Sequence, residues 1–234
     1  MKTSLKSTSR ERRGKGIRRK VDDSKPPKDW MSFLRLNQNK TELFRYLSHS
    51  MIEIAPADMN MFCSFDNQAI SKQNHNLTNI SPCTQEKGDT RVFLHVQDAA
   101  RHGSSKIKIR TVDTDVVVIG ICLYGSIAGV EELWIDFGVG KNRRYYPIQD
   151  ITATFDELKC KALDFFHAFT GCDQVSFFSQ CGKTKAWKAW SGLPEITEIF
   201  VTLGSKPSVD DVTKSMPLIE KFVTNINVQI HNNL

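Results

Sequence analysis

An α/β layered domain with a helical C-terminal portion is the fold class this sequence predicts, and three observations carry it. Lys106 to Val112 alternates apolar and charged residues with the period of a strand. Just before it, Val92, Phe93, Val96, Ala99 and Ala100 recur with the period of a helix. Beyond residue 148 the remaining apolar patterns are helical. Helices alternating with strands and then followed by a run of helices belong to the layered α/β class.

The chain has 234 residues, enough for one domain with appendages. Its net charge of +6 is unevenly placed, because the first thirty residues hold eleven Lys or Arg against four acids. The rest is close to neutral, which describes a neutral body with a basic arm rather than a basic domain. Residues 1 to 29 include Arg10, Arg12, Arg13, Lys15, Arg18, Arg19 and Lys20 with scarcely an apolar partner, so composition predicts disorder. Such a run reads as a phosphate-binding arm or a nuclear import signal, or as a solvated flank. Pro26-Pro27 closes it, and Trp30, Phe33 and Leu34 open a folded part spanning 30 to 180, with a helical portion over 181 to 234.

Six cysteines form no Cys-x-x-Cys pair, and no apolar signal sequence opens the chain. Both point to a reducing, intracellular compartment, nuclear or cytoplasmic. The longest uncharged run, Val116 to Val130, is too short to span a bilayer and is bracketed by Asp115 and Glu131. It reads as a buried strand entering a buried helix, with no membrane partner.

In chain order, Leu43, Phe44, Leu47 and Met51 predict a helix from about Thr41 to Ile52, capped by Asn39 or Asn37. Met59 to Phe65 alternates as a strand, and the polar stretch Asp66 to Asn79 reads as a loop. A helix follows from about Gln85 to Arg101, ended by His102-Gly103. In the strand over Lys106 to Val112, Ile107 and Ile109 face one side and Lys106, Lys108 and Arg110 the other. Leu133 to Phe137 and Arg144 to Ile148 are two further strands, joined through Gly138 to Asn142. Helices are expected near 148 to 155, 157 to 169, 183 to 191, 194 to 203 and 216 to 226.

Three acidic segments stand out in this frame: Glu86 with Asp89 at a helix start, Asp113 with Asp115 after a strand, and Asp173 after Gly171-Cys172. Carboxylates where a fold buries apolar groups are costly unless a proton or cation neutralises them. Continuing the strand alternation sets Asp113 and Asp115 on the Ile107 side, at the carboxyl end of a buried strand, where open α/β sheets bind ligands. Taken singly, Glu86 and Asp89 also read as ordinary N-terminal helix charges, and Asp173 as a cap. Together the segments read as a site for Mg²⁺ or Mn²⁺, and two such ions hydrolyse phosphodiesters by activating a water and stabilising the leaving oxygen.

The order of an acidic helix start, an Asp-x-Asp after a strand and Gly-Cys-Asp after a helix resembles the PIN-like nuclease fold, particularly its flap endonuclease branch. The blocks Asp89-Thr90-Arg91, Val112-Asp113-Thr114-Asp115-Val116, Trp134-Ile135-Asp136-Phe137-Gly138-Val139-Gly140-Lys141 and Phe169-Thr170-Gly171-Cys172-Asp173 are also similar, over nearly the whole chain, to a dispersed group of animal proteins. That second similarity names no activity. The nuclease resemblance implies a layered PIN-like domain with a central, mainly parallel sheet. It further implies catalytic, metal-binding carboxylates at Asp113, Asp115 and Asp173, with Asp89 and Glu86 supporting them. A helical hairpin that grips nucleic acid would start near Gly182, offering Lys183 and Lys185 to phosphates beside the basic residues Arg12, Arg13, Arg18 and Arg19. The chain departs from that pattern at Lys87, where an acid is usual two residues before Asp89. It also departs at its start, where a basic arm replaces a strand bearing an early Asp and Asp66 is the nearest counterpart. Against the resemblance, the chain reads as shortened at its N-terminus. The functional expectation is a metal-dependent nuclease, with a non-catalytic nucleic-acid or protein interaction module on the same fold as its alternative.

Other signals carry less. Gly182-Lys183-Thr184 lacks the earlier glycine of a P-loop, since position 177 is Phe177. His167 with Cys172 has no second pair to complete a zinc site, so a half-buried helix accounts for both. Trp187 and Trp190 share a helix face and read as core.

Overall fold

The computed structural model describes residues 16–22, 25–73, 75–82, 88–172, 175 and 177–231, and it divides into two compact units at Lys87/Gly88. Arg12, Arg13, Glu86, Lys87 and Asp173 therefore lie outside the described residues.

In the first unit, helix α1 (Trp30–Leu34) starts at Asp29, whose carboxylate accepts from the Ser32 amide at 3.0 Å. Helix α2 (Asn37–Ile54) begins at Leu36 without a side-chain cap, so neither Asn39 nor Asn37 has the capping role expected of it. Asn39 lies inside the helix and is wholly buried, donating to the carbonyls of Ile17 (2.7 Å) and Phe33 (2.8 Å). Its oxygen accepts from Arg18 Nη1 at 2.9 Å and the Arg19 amide at 3.3 Å. A buried amide with four partners repays its desolvation, and it ties residues 17–19 to α1 and α2. The apolar residues expected to bury α2 behave otherwise: Phe44, Leu47 and Met51 are exposed.

Strands β1 (Phe62–Phe65) and β2 (Gln68–Ser71) pair as a tight antiparallel hairpin, Phe65 opposite Gln68. All of β2 falls in the stretch expected to be a loop, Asp66 to Asn79. Four residues containing Gln68 and Ser71 are too short and too polar to announce a strand, and the turn is made by Asp66 at φ +55° rather than by a glycine.

The second unit opens with α3 (Gly88–Arg101), which buries Phe93 and Val96. Strand β3 (Lys106–Thr111) keeps the predicted alternation, with Ile109 buried and the three basic residues exposed. It is followed by helix α4 (Thr114–Tyr124) and strand β4 (Glu132–Phe137), which pairs parallel to β3 with Ile109 opposite Ile135. The expected strand over Val116–Ile119 is therefore a helix. Asp113 caps its first turn, and the right-handed crossover that a parallel pair requires is most simply a helix. Burial outweighs the weak strand preference of three valines. Gly120 allows the close approach, because a Cβ built there would lie 3.1 Å from Ile135 Cδ1 and 3.6 Å from Phe93 Cζ.

A 3₁₀ turn (Gly140–Asn142) leads to β5 (Arg144–Pro147), antiparallel to β4. Gly138, between β4 and this turn, has φ +84°, and an added Cβ would meet the Asn142 carbonyl at 2.7 Å. The sheet order is β3-β4-β5. With one parallel and one antiparallel pair the sheet is mixed, which corrects the expected mainly parallel arrangement. The α/β class itself holds.

Helices α5 (Ile148–Ala153), α6 (Glu157–Phe169), α7 (Lys183–Ser191), α8 (Ile196–Gly204) and α9 (Val209–His231) complete the chain, the first four close to their predicted spans and α9 extending well past both ends of the expected 216 to 226. Phe166 of α6, Trp190 of α7, Phe200 of α8 and Phe222 of α9 form one aromatic cluster, with successive centroids 4.7, 5.3 and 5.2 Å apart. Residues after 181 thus share a core with β3, β4 and α4. No described helix is long and apolar enough to cross a membrane.

Candidate metal centre

At the carboxyl end of β3 the backbone turns at Asp113, whose amide donates to Thr111 Oγ1 at 3.0 Å. Asp113 then accepts the Asp115 amide on Oδ1 at 3.0 Å, closing the N-terminus of α4. Asp115 stands one residue into the first turn. The two side chains converge through this capping geometry and not through the strand alternation expected of them. Asp89, in the first turn of α3, completes the group: Asp89, Asp113 and Asp115 each offer an oxygen within 4.8 Å of the other two, and all three are partly buried.

Three ionised carboxylates so placed repel one another. At an effective dielectric near 20, two unit charges about 5 Å apart cost roughly 3 kcal/mol. Two helix N-termini offset part of that charge. His167 of α6 offsets more, with Nε2 3.0 Å from Asp115 Oδ1. The ring N–H donates to the carboxylate, which fixes the imidazole's orientation. Asp115 and Asp113 each commit one oxygen to these contacts and retain a second. A hard divalent cation bound by oxygen ligands suits such a donor set.

Asp115 also borders a cleft of about 700 Å³. Its polar wall includes His167, Thr170, Cys172 and Lys183, and its apolar wall includes Val118, Phe137, Tyr146 and Phe177. Lys183, at the start of α7, donates to the His167 carbonyl and to Thr170 Oγ1, the latter at 2.8 Å. Burial pulls its ammonium below the usual lysine range, opposed by the nearby Cys172 and Asp115. Gly171 sets the path of the cleft's edge: its φ is +102°, and an added Cβ would fall 2.4 Å from Phe177 Cβ.

Of the predicted site residues, Asp89, Asp113 and Asp115 come together and Lys183 joins their neighbourhood. Lys185 does not, since its Nζ approaches the Gln180 carbonyl at 3.5 Å. Arg18 in the first unit is engaged by Asn39 and Glu42. Asp173 and Glu86 lie outside the described residues, as do Arg12 and Arg13. His167 is the residue that sequence reasoning set aside. Its one usable signal is its place a single helical turn before Gly171-Cys172, while its partner lies 52 residues away. No family model matches this chain, and neither a curated protein nor a solved structure matches it.

Proposed function

We propose that the chain is a metal-dependent nuclease-like protein that hydrolyses phosphodiester bonds of DNA or RNA. Asp89, Asp113 and Asp115 hold Mg²⁺ or Mn²⁺, and Asp173 and Glu86 are further ligands by sequence position. The observation that carries this reading is the convergence of three carboxylates from two helix starts at the carboxyl end of a sheet strand. A bound divalent ion supplies water activation and stabilisation of the leaving oxygen. The chain's own residues do the placing. Asp113 is fixed by its capping bond, Asp115 is oriented by His167, and Lys183 sets a cation in the adjoining cleft, suited to a phosphate.

A second reading keeps the fold as a non-catalytic interaction module. It is favoured by the same contacts, since the imidazole of His167, the helix N-termini and Lys183 answer part of the carboxylate charge without a metal.

Single-stranded, duplex and flap substrates incubated with the chain in Mn²⁺, beside Asp113→Asn, separate the two. The nuclease reading expects cleavage by the parent chain and a loss of about a hundredfold or more in the variant. Equal cleavage by both proteins sinks the catalytic assignment. Calorimetric titration with Mn²⁺ alone reads the metal centre independently of substrate, and equal binding by both proteins removes Asp113 from it.

A further inference from the structure

In the first unit, residues 19–22 and 25–27 lie against α1 and α2 and enclose a pocket of about 320 Å³. Asn39 anchors the start of this segment through the Ile17 carbonyl and the Arg19 amide, and the Ile17 amide donates to the Ser32 carbonyl at 3.2 Å. Pro26-Pro27 stiffens its return into α1. The wall is aromatic, formed by Trp30, Phe33 and Tyr46. Trp30 is 44 % exposed and meets the buried Phe33 edge-on, with centroids 5.7 Å apart at 83°, a contact that covers at most one face of the indole. Arg19, Lys20 and Lys25 are exposed at the mouth, and Asp22 is the one acid among the described lining residues. None of these three cations is in an ion pair with a described residue, whereas the neighbouring Arg18 is held by Glu42.

We infer that this pocket takes one unpaired nucleotide of a single-stranded nucleic acid, its base stacked on Trp30 and its flanking phosphates met by Arg19, Lys20 and Lys25. An aromatic wall with a cationic mouth matches the two halves of a nucleotide, a π-face and an anion. Neither half of the site suits a simpler ligand. A cation or an apolar peptide leaves three charges unanswered at the mouth, and a bare inorganic anion leaves the aromatic wall unused. The volume lies at the lower end of small-ligand sites, which suits a single base and excludes a folded element. A strand fits better than a free di- or triphosphate, because those are cradled by backbone amides at open helix starts. Here the start of α1 is already capped by Asp29, and phosphate meets only flexible point charges. Duplex DNA keeps its bases stacked in pairs and offers Trp30 no open face.

Titration of the full chain with a fluorescein-labelled decathymidylate in EDTA tests this without the metal centre, so it stands or falls separately from the nuclease reading. Trp30→Ala is expected to weaken binding about tenfold, the usual effect of removing one base-stacking aromatic, and to leave binding of a duplex of the same length unchanged. Trp30→Phe keeps a stacking ring, so it should bind within about threefold of the parent. Unlabelled decathymidylate should quench the parent's tryptophan emission, and that quenching should vanish in Trp30→Phe although Trp134, Trp187 and Trp190 remain. Lys20→Gln with Lys25→Gln should lower the slope of log affinity against log salt by about 1.4, two single-strand phosphate contacts. Equal affinity of parent and Trp30→Ala for the strand, or quenching that persists in Trp30→Phe, overturns the proposal. An equal loss on strand and duplex, or an abasic strand bound as tightly as decathymidylate, overturns base recognition. An unchanged salt slope removes the cationic mouth from it. Thymidine monophosphate that displaces the strand at the strand's own concentration assigns the pocket to free nucleotides instead. Vesicles of phosphatidylcholine with phosphatidylserine that bind the parent and not Trp30→Ala assign it to lipid, and either result overturns the proposal.

Discussion

His167 Nε2 lies 3.0 Å from Asp115 Oδ1, joining the last turn of α6 to the first turn of α4. The contact makes His167 a positioning residue for one of three converging carboxylates. A residue that orients a ligand carboxylate is commonly worth tenfold or more in metal affinity. His167→Ala is therefore expected to weaken Mn²⁺ binding about tenfold, while Asp115→Asn weakens it further. Calorimetric titration checks both, and an unchanged affinity in His167→Ala would detach the histidine from the centre.

Asp113 has two separable roles, because Asn is as good an N-cap as Asp but carries no charge. Asp113→Asn should keep the capping bond to the Asp115 amide and, by removing one of three mutually repelling charges, leave the metal-free chain at least as stable as the parent. Asp113→Ala also loses the bond and should be about 1 kcal/mol less stable than Asp113→Asn. Denaturant unfolding in EDTA distinguishes them. Added Mn²⁺ at a hundred times its dissociation constant should stabilise the parent by about 2.7 kcal/mol and neither variant to that extent. Equal metal-free stability of Asn and Ala variants would mean that the cap contributes nothing.

Gly120 faces Ile135 across the α4–sheet contact with room for little more than a hydrogen. Gly120→Ala gains helix propensity of about 1 kcal/mol but must push Ile135 Cδ1 by a few tenths of an ångström, so its net effect stays within about 1 kcal/mol. Gly120→Leu has no such escape, with Phe93 Cζ at 3.6 Å and Ile148 Cγ1 at 3.8 Å from the first added carbon. It should destabilise by about 3 kcal/mol or prevent folding. Urea unfolding of both variants checks the ordering, and a Leu variant as stable as the Ala variant would contradict the packing.

What the sequence made legible followed from how locally each feature is encoded. The helices from 148 onward declare themselves through apolar periodicity, and α6 in particular needs no distant partner to be recognised, with Asp156 capping it at 2.7 Å. Asp89, Asp113 and Asp115 were readable as a group because each sits at an element boundary, where charge placement has a local reason. The valines of α4 misled for the opposite reason. Their strand preference is local, while the parallel pairing of β3 with β4 that makes a helix the natural link between them is not. His167 was hidden because its meaning depends on a residue 52 positions away. The exposed row on α2 shows the limit of periodicity itself, which locates an apolar face without saying what covers it.

Asp136 is almost fully buried on β4, on the opposite side of the strand from Ile135, and two arginines hold its charge. Arg143 donates from Nε and Nη2 to its two oxygens at 2.7 and 2.6 Å, and Arg110 Nη1 lies 3.6 Å away. The hydrogen bonds from Arg143 hold the carboxyl below its ordinary range against the opposing effect of burial. A carboxyl whose folded pKa is depressed contributes stability that is fully present above its unfolded value, about 3.9, and is lost as pH falls through the lower folded value. Asp136→Asn, which keeps shape but not charge, should therefore lower the melting temperature by several degrees at pH 7. The gap between variant and parent should narrow below about pH 4 and close once the parent's carboxyl is protonated. Thermal unfolding of both chains from pH 7 to pH 2 measures it. A gap of constant size across that range would mean that the guanidinium–carboxylate charge pairing is not what holds β4 to the turn before β5.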